Sequence, residues 1–403
     1  AVQQVTAMIS APGSYDVGLL LALVDEVSLL DAGARIAVDA SEYFAFVNDG
    51  GQFTGTGSLS VENADLGQAM TLAADGSIDS YEIDMATVKD QVLTVDEAVI
   101  LVGAENYVAP QSGGVEFSID DDAATLHAAE VNGDHARLAL FDAVSVVATG
   151  GVVSVAEAKT VAEIAGFSDV SSLFDVTDLA VNVLADAGEA GGGIIAEGFV
   201  NQVRATDATP DQAITLVGIG SVDTFEMDSA TYTDLTVEQV RAVEDGKNQT
   251  DVSYTVLDGA TVIEGAIPDI DNADQVSSSE ILTLTVAEFG ALDDDDTDLM
   301  TAYTISDDAA AVASALNAGD ASVNGAASIV TNGGNVELSF AEADALLNGN
   351  GVAPAQAGTI ASDVTVTGTV TVSEASDVLG TTYNISDDAA AVASALNAGD
   401  ASV

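Results

Sequence analysis

The sequence predicts a mixed α/β repeat protein, in which short strand-plus-helix units stack as a solenoid with a mostly parallel sheet. Three observations support this fold class: a recent internal duplication, an older duplication, and two short motifs that recur along the chain. A string of small β-rich domains is the alternative architecture. A single unit of this size cannot bury its own apolar face, so neighbouring units are expected to cover one another.

The recent duplication lies in the last quarter of the chain. The segment from Tyr303 to Val323 recurs as the segment from Tyr383 to Val403, and the two copies differ only at Thr304 and its counterpart Asn384. Two copies of the same sequence are expected to form the same structural unit.

The older duplication is more divergent. It relates Gln68–Asp90 to Gln212–Asp234, and both copies lead into a Leu-Thr-Val sequence that starts a helix. With the recent repeat, it divides the chain into four parts. We expect an N-terminal end unit at 1–67, a first repeat block at 68–210, a second block at 211–300 that duplicates the 68–150 region, and 80-residue repeats at 301–403.

The first short motif is Ser or Thr followed three residues later by Glu or Gln. This capping box starts a helix, because the hydroxyl accepts from the third amide while the acid or amide side chain reaches back. The motif occurs at Thr94–Glu97, Ser154–Glu157, Thr236–Gln239, Thr285–Glu288, Ser339–Glu342 and Thr371–Glu374.

The second motif is an aromatic residue, then Ile or Val two positions later, then Asp, followed by an Ala-rich helix. It starts at Phe117, Phe174, Tyr254, Tyr303 and Tyr383. In the copy at Tyr303 we expect a strand over 301–305, a helix cap at Ser306, and Asp307 and Asp308 in the first turn, where the helix dipole favours anions. The helix would end at Asn317 and Gly319, and Ala321 would begin the next strand.

Composition excludes several classes of function. The 403 residues include 66 acidic and only 7 basic side chains, which gives a formal net charge of -59. Such a surface repels nucleic acid and anionic membranes. The chain has no cysteine, which excludes disulfides and thiolate chemistry, and no apolar run is long enough for membrane insertion. The three lysines (Lys89, Lys159 and Lys247) are too few for a general prediction of isopeptide crosslinks.

Clustered aspartates are the candidate metal ligands. Calcium takes six to eight oxygen ligands and tolerates irregular loops. The candidate residues are Asp293, Asp294, Asp295 and Asp296 in one cluster, and Asp269, Asp271 and Asp274 in the other. Helix capping and solvation are the alternative interpretation. For a third cluster, Asp120–Asp122, we favour helix capping, because it aligns with Ser306–Asp308.

Other candidate sites are weak. The stretch Ile214–Asp223 resembles the start of a dinucleotide fingerprint but lacks the third glycine, so a turn is the better interpretation. The two histidines, His127 and His135, have no evident partners for a zinc site or a catalytic triad. We therefore predict no enzymatic activity and no small-molecule substrate; an enzyme on a repeat scaffold would need paired acids with basic or aromatic sugar contacts.

Taken together, the L-T-V-x-E-A and Y-x-I-S-D-x-A-A units resemble the very large, acidic, exported repeat proteins of bacteria, a group that includes adhesins, surface-layer proteins and extracellular filament proteins. The resemblance covers residues 68–403. The resemblance implies an extracellular or cell-surface location. Because many proteins of this group depend on calcium, it also implies calcium dependence.

These observations predict a non-enzymatic structural subunit whose partner is itself, assembled into an extracellular filament, sheath or surface layer. Repeats that stack within a chain also stack between chains when an end is uncovered, and a head-to-tail contact that does not close gives an open filament. The alternative is a spacer or binding segment of a giant calcium-dependent adhesin.

Overall fold

The structure is a computed structural model that describes residues 6–16, 21–293, 298–332, 336–341, 343–344, 364–375, 377, 382–385 and 389–398. It is a mixed α/β protein with mostly parallel sheets, and its described residues form 16 α-helices. The chain divides into two compact units, Ala1–Thr206 with Ile219–Thr224, and Asp207–Gly218 with Phe225–Val403.

The first unit contains three groups of hydrogen-bonded strands. Their orders are β1-β3-β5, β2-β4-β6-β7 and β8-β9-β10-β11-β12. The strands are β1 Thr6–Ile9, β2 Gly13–Asp16, β3 Glu26–Leu29, β4 Ala34–Asp39, β5 Gln52–Gly55, β6 Ser58–Ala64, β7 Ser80–Ile83, β8 Val92–Leu93, β9 Ser118–Asp121, β10 Ser145–Val153, β11 Leu173–Leu179 and β12 Val200–Ala208, which begins in this unit.

The helices of the first unit lie between these strands. They are α1 Ala40–Asn48, α2 Leu66–Ala73, α3 Met85–Val88, α4 Val95–Gly103, α5 Ala123–Asn132, α6 Asp134–Asp142, α7 Val155–Ala162 and α8 Ala180–Ala187, with short 3₁₀ turns at Pro110–Ser112 and Ile194–Ala196. Parallel neighbouring strands require such crossovers, because the chain must return to the same end of the sheet before it starts the next strand.

The second unit follows the same plan. Its strand orders are β14-β15-β16-β18, β17-β19-β20 and β21-β22-β23. The strands are β13 Thr224–Met227, β14 Thr231–Leu235, β15 Ser253–Asp258, β16 Gln275–Ser278, β17 Leu282–Leu284, β18 Asp298–Leu299, β19 Tyr303–Asp307, β20 Ser328–Thr331, β21 Val336–Leu338, β22 Val364–Val370 and β23 Thr382–Ile385. The helices are α9 Pro210–Gly218, α10 Val237–Val243, α11 Ala260–Glu264, α12 Val286–Leu292, α13 Ala309–Ala318, α14 Ala321–Asn324, α15 Val372–Ala375 and α16 Ala389–Ala398.

The core consists of small aliphatic residues from the strands and helices. On the strands, Ile119, Val176, Val256 and Ile305 are fully buried. The helices pack closely on these strands because alanine, which has a small side chain, often occupies the first helical turn. One such alanine, Ala158, is also fully buried. Each fully buried Val, Ile or Leu side chain contributes about 1.5–3 kcal/mol to folding.

The capping boxes are confirmed at five of the six predicted positions. Helices α4, α7, α10 and α12 have both reciprocal hydrogen bonds of the box, from Thr94, Ser154, Thr236 and Thr285. Thr371 and Glu374 make the same pair of bonds at the start of α15. The sixth box, Ser339–Glu342, includes a residue outside the described part of the chain.

Two boundaries in the Tyr303 repeat were predicted wrongly. Ser306 does not cap the helix, because strand β19 continues through Asp307, and Asp308 accepts from the amides of Ala310 and Ala311. The segment at Ala321 forms a short helix capped by Asp320 and does not begin a strand. In the first case Asp308 lies nearer the helix than Ser306 and accepts from its free amides. In the second case alanine favours a helix, and Asp320 caps that helix.

The older duplication is visible in backbone geometry. Strand β7 at 80–83 and strand β13 at 224–227 occupy equivalent positions in the two copies. The non-glycine residues with positive φ in the described chain also form two equivalent pairs: Asn63 and Asp207 at 58° and 53°, and Asp90 and Asp234, both at 58°. A positive φ is unusual for such residues, so both copies retain the same local turns.

Candidate functional site

The predicted calcium ligands are not brought together in the described residues. Asp269 forms an ion pair with Arg241, whose Nε and Nη2 atoms both lie 2.8 Å from Oδ2 of Asp269. Asp274 accepts a hydrogen bond from Ser253. Asp293 follows the end of helix α12, and Asp294, Asp295 and Asp296 lie outside the described residues. Asp271 is also engaged in an interaction. Burial is the main cause that raises the pKa of the Tyr254 hydroxyl, and the charge of Asp271 raises it further.

The part of the chain that the structure describes contains no group of three acidic or histidine side chains placed to hold a metal ion. His127 Nδ1 lies 3.7 Å from Glu157 Oε1, and His135 is exposed. The dinucleotide-like stretch begins inside helix α9, at Ile214, whereas a phosphate cradle requires a strand before the glycine turn. The interpretation of this stretch as a turn is therefore favoured.

The aspartates of the second motif occupy a recurring position. We call Asp121, Asp178, Asp258 and Asp307 the strand-end aspartates; each is the Asp of one motif copy, at or next to the end of its strand. Their Oδ2 atoms accept from the first amide of the preceding capping-box helix. These bonds come from Val95, Val155, Val237 and Val286, at 3.0, 3.0, 3.1 and 3.0 Å.

The second oxygen of each strand-end aspartate binds its own chain segment. Oδ1 accepts from the amide of the following residue in all four copies. The donors are Asp122, Leu179, Gly259 and Asp308, at 2.9, 2.8, 2.7 and 2.7 Å. One carboxylate therefore satisfies an amide at the start of one helix and an amide at the entry to the next. These amides have no partner within their own helices.

Sheet register places these aspartates where the bonds can form. The apolar residue before each box residue pairs with the central Ile or Val of the following motif. The pairs are Leu93 with Ile119, Val153 with Val176, Leu235 with Val256, Leu284 with Ile305, and Val370 with Ile385. The motif aspartate lies shortly beyond that pair, next to the start of the preceding helix.

The third aspartate cluster caps a helix, as predicted. Asp122 accepts from the amide and the hydroxyl of Thr125, at 3.0 and 2.7 Å, at the start of α5. These bonds, the backbone one first, lower the pKa of Asp122. Ser154 lowers the pKa of Glu157 in the same way, through its amide first. Carboxylates at helix starts are stabilised as anions by the amides and by the helix dipole.

Sequence reasoning missed the link between the two motifs. It identified the capping boxes and the Asp-containing strands, but it did not connect an aspartate with the helix start of the preceding unit. It also missed the boxes Asp65–Gln68 and Thr209–Gln212, which are equivalent in the two copies of the older duplication. The sequence did carry a signal for this link, because each of the four linked capping boxes is followed by a strand with the motif aspartate at or next to its end.

Comparison with known proteins found no relative of this chain. No protein-family model, no curated protein and no solved structure matches the chain. The described helices are all too short or too polar to span a membrane.

Proposed function

We propose that this chain is a non-enzymatic structural subunit that self-associates outside the cell into a filament, sheath or surface layer. The proposal is supported by repetition of one hydrogen-bonded unit. The same sequence of strand, capping-box helix, second strand and strand-end aspartate recurs four times, with amide-to-Oδ2 distances of 3.0, 3.0, 3.1 and 3.0 Å. Such units contact mainly their neighbours and therefore suit extended assemblies.

A solenoid is the architecture we propose for these units. Strand order follows chain order in each sheet, and in the first unit successive strands alternate between β1-β3-β5 and β2-β4-β6-β7. This alternation holds for β1 to β6 and is expected when each coil contributes one strand to each of two parallel sheets. Shared strand-end aspartates would connect one coil to the next.

The observation that carries the self-association proposal is a difference between two copies of one sequence. In the first copy, β19 is paired on both edges, and Ile305 and Val312 are fully buried. In the second copy, Ile385 and Val392 are only half-buried. Strand β23 is the outer strand of its group within the described residues. The first copy shows that this sequence can accept a further strand and bury its apolar face.

We propose that a second copy of the chain can pair with β23. A parallel strand of a second copy would occupy the position beside β23 that β20 occupies beside β19. An exposed strand edge favours such pairing between chains. The nearby helix α16 presents Leu396, with 59% of its surface exposed, as further apolar area.

Charge should control this association. A formal net charge of -59 opposes the approach of two copies, so screening by salt or binding of divalent cations should favour it. Calcium, which the clustered aspartates of the sequence favour, remains our proposed cofactor for assembly. The proposed location is extracellular or at the cell surface, in agreement with the resemblance to exported repeat proteins.

Negative-stain microscopy and sedimentation of the purified chain, with and without calcium, test the proposal. We expect polymers in calcium or in high salt. The Leu396→Asp substitution should reduce assembly at least about tenfold, because it places a further charge on the apolar face. The control is Val170→Asp, at a residue that is 91% exposed and lies in the other unit; it should assemble normally.

A chain that stays monomeric under all these conditions would contradict self-assembly. If that monomer is rod-like in solution scattering, the adhesin spacer becomes the better proposal. Equal assembly of the Leu396→Asp variant and the wild type would show that the α16 face is not part of the interface.

A further inference from the structure

Lys159 has an unusual pair of neighbours. Its Nζ atom lies 2.7 Å from Oδ1 of Asp186 and 2.8 Å from Oε1 of Glu189. Lys159 belongs to helix α7, Asp186 to the last turn of α8, and Glu189 to the segment after α8. The three residues are thus contributed by two successive helices and the segment after the second, and two carboxyl groups converge on one amine.

The Asp186 carboxyl group is enclosed. Its side chain is 1% exposed, while that of Lys159 is 37% exposed. Oδ2 accepts from the amide of Ile195 at 3.0 Å. Gly193, with φ +67°, closes over the group so tightly that a Cβ atom there would lie 2.4 Å from Oδ2. Only glycine fits this position, and the loop that it forms shields the carboxyl group from water.

The contact between Lys159 and Asp186 is a close ion pair. Oδ1 of Asp186 is buried, and Nζ of Lys159 lies 2.7 Å from it. The amine donates to Glu189, at 2.8 Å. The amine is therefore held against a buried carboxyl group on one side and a second carboxyl group on the other, which is the positioning that a reaction between amine and carboxyl group requires.

We propose that Lys159 and Asp186 form an intramolecular isopeptide bond, with Glu189 as the proton-transferring group. The Lys159 ammonium first passes a proton to the Asp186 carboxylate. The neutral Nζ then attacks Cγ, Glu189 takes a proton from the nitrogen, and Glu189 returns it to the departing hydroxyl. An Nζ–Cγ amide forms, one water molecule leaves, and no oxidant or reductant is required.

The first proton transfer controls this reaction. The two carboxylates, Asp186 first, raise the pKa of the Lys159 amine, which favours the ammonium form. The bond is therefore expected to form gradually after folding has enclosed Asp186. Once formed, it would fasten α7 to the end of α8 covalently.

Intact mass spectrometry of the purified chain tests the proposal. The wild type should lie below the mass of its sequence by one water molecule, about 18 Da. The Lys159→Arg variant keeps the positive charge but should show the full mass. Peptide mapping should find one crosslinked species that contains both Lys159 and Asp186. A wild type of full mass, after long incubation in the folded state, would show an ordinary ion pair and overturn the proposal.

Two further variants make the result specific. A cyclic imide at another aspartate also loses one water molecule, but that loss would persist in Lys159→Arg and would count against the crosslink. The Lys247→Arg variant should keep the mass loss. In Glu189→Gln, with circular dichroism confirming the fold, the bond should form about 100-fold more slowly. Formation at the wild-type rate would overturn the role of Glu189.

Discussion

At the scale of single residues, aspartate is the residue that organises this protein. The strand-end aspartates each accept from two backbone amides that belong to different helix starts. Part of the acidity is therefore structural, because carboxylates satisfy amides that alanine-rich helices leave free. The four strand-end aspartates and the helix starts that they serve thus belong to one recurring arrangement.

Asp258 offers a test of this role. Its carboxylate accepts from Val237 at 3.1 Å and from Gly259 at 2.7 Å. Replacing Asp258 by Ala should lower the free energy of unfolding by about 1–3 kcal/mol, since two amides lose their acceptor. Urea denaturation measures the change. The control, Asp251→Ala, concerns an exposed carboxylate in the preceding loop and should change stability by less than about 0.5 kcal/mol; equal effects would refute the capping role.

Tyr43 and Asp75 should make part of the stability depend on pH. The Tyr43 hydroxyl donates to Oδ2 of Asp75 at 2.6 Å. This bond, followed by those from Ser77, lowers the pKa of Asp75, while burial raises the pKa of Tyr43 to about 12. A lowered carboxyl pKa stabilises the fold above about pH 4, and the contribution is lost as pH falls through the folded-state pKa.

Comparison of Tyr43→Phe with the wild type measures that contribution. The variant should be less stable at pH 7, and the difference should shrink as pH falls below about 4, because the protonated carboxyl group no longer favours the charged-state bond. Tyr15→Phe is the control, since its hydroxyl donates to the carbonyl of Ala11. A difference for Tyr43→Phe that stays constant with pH would exclude the linkage.

At the scale of elements, local sequence decided where most helices begin. The capping boxes at Thr94, Ser154, Thr236, Thr285 and Thr371 were predictable because both partners lie within one turn. Boundaries that depend on a choice between adjacent polar residues were harder. At Ser306–Asp308 the neighbouring strand β20 extended β19 through Asp307, and the cap shifted to Asp308.

The contribution of one box is measurable in helix α7. Ser154→Ala removes the oxygen that accepts from the Glu157 amide at 3.3 Å. We expect a loss of about 1 kcal/mol in the free energy of unfolding, measured by thermal or urea denaturation. Thr160→Ala in the same helix is the matched control, because its hydroxyl bonds to the carbonyl of Ala156 and its replacement removes no cap. A loss as large for Thr160→Ala would contradict the importance of the box.

At the scale of the whole molecule, duplication explains more than composition does. The Leu59 amide, which precedes one copy of the older duplication, donates to Oδ2 of Asp79 within that copy at 2.8 Å. At the equivalent position before the other copy, the Val203 amide donates to Oδ2 of Asp223 at 2.8 Å. The duplication therefore retained hydrogen bonds between neighbouring strands as well as residue types. A protein enlarged by such copying has similar strand edges along its length, which is the physical basis of the assembly that we propose.

The sequence by itself determined the α/β class, the capping boxes and the repeats, because each depends on residues close together in the chain or on identity between segments. Only the tertiary structure decided that a strand-end aspartate caps the preceding helix. It also decided that Lys159 meets Asp186 and Glu189, and that Asp269 pairs with Arg241. These contacts join residues of different elements, and their partners are selected by strand register and helix packing, which local sequence patterns do not encode.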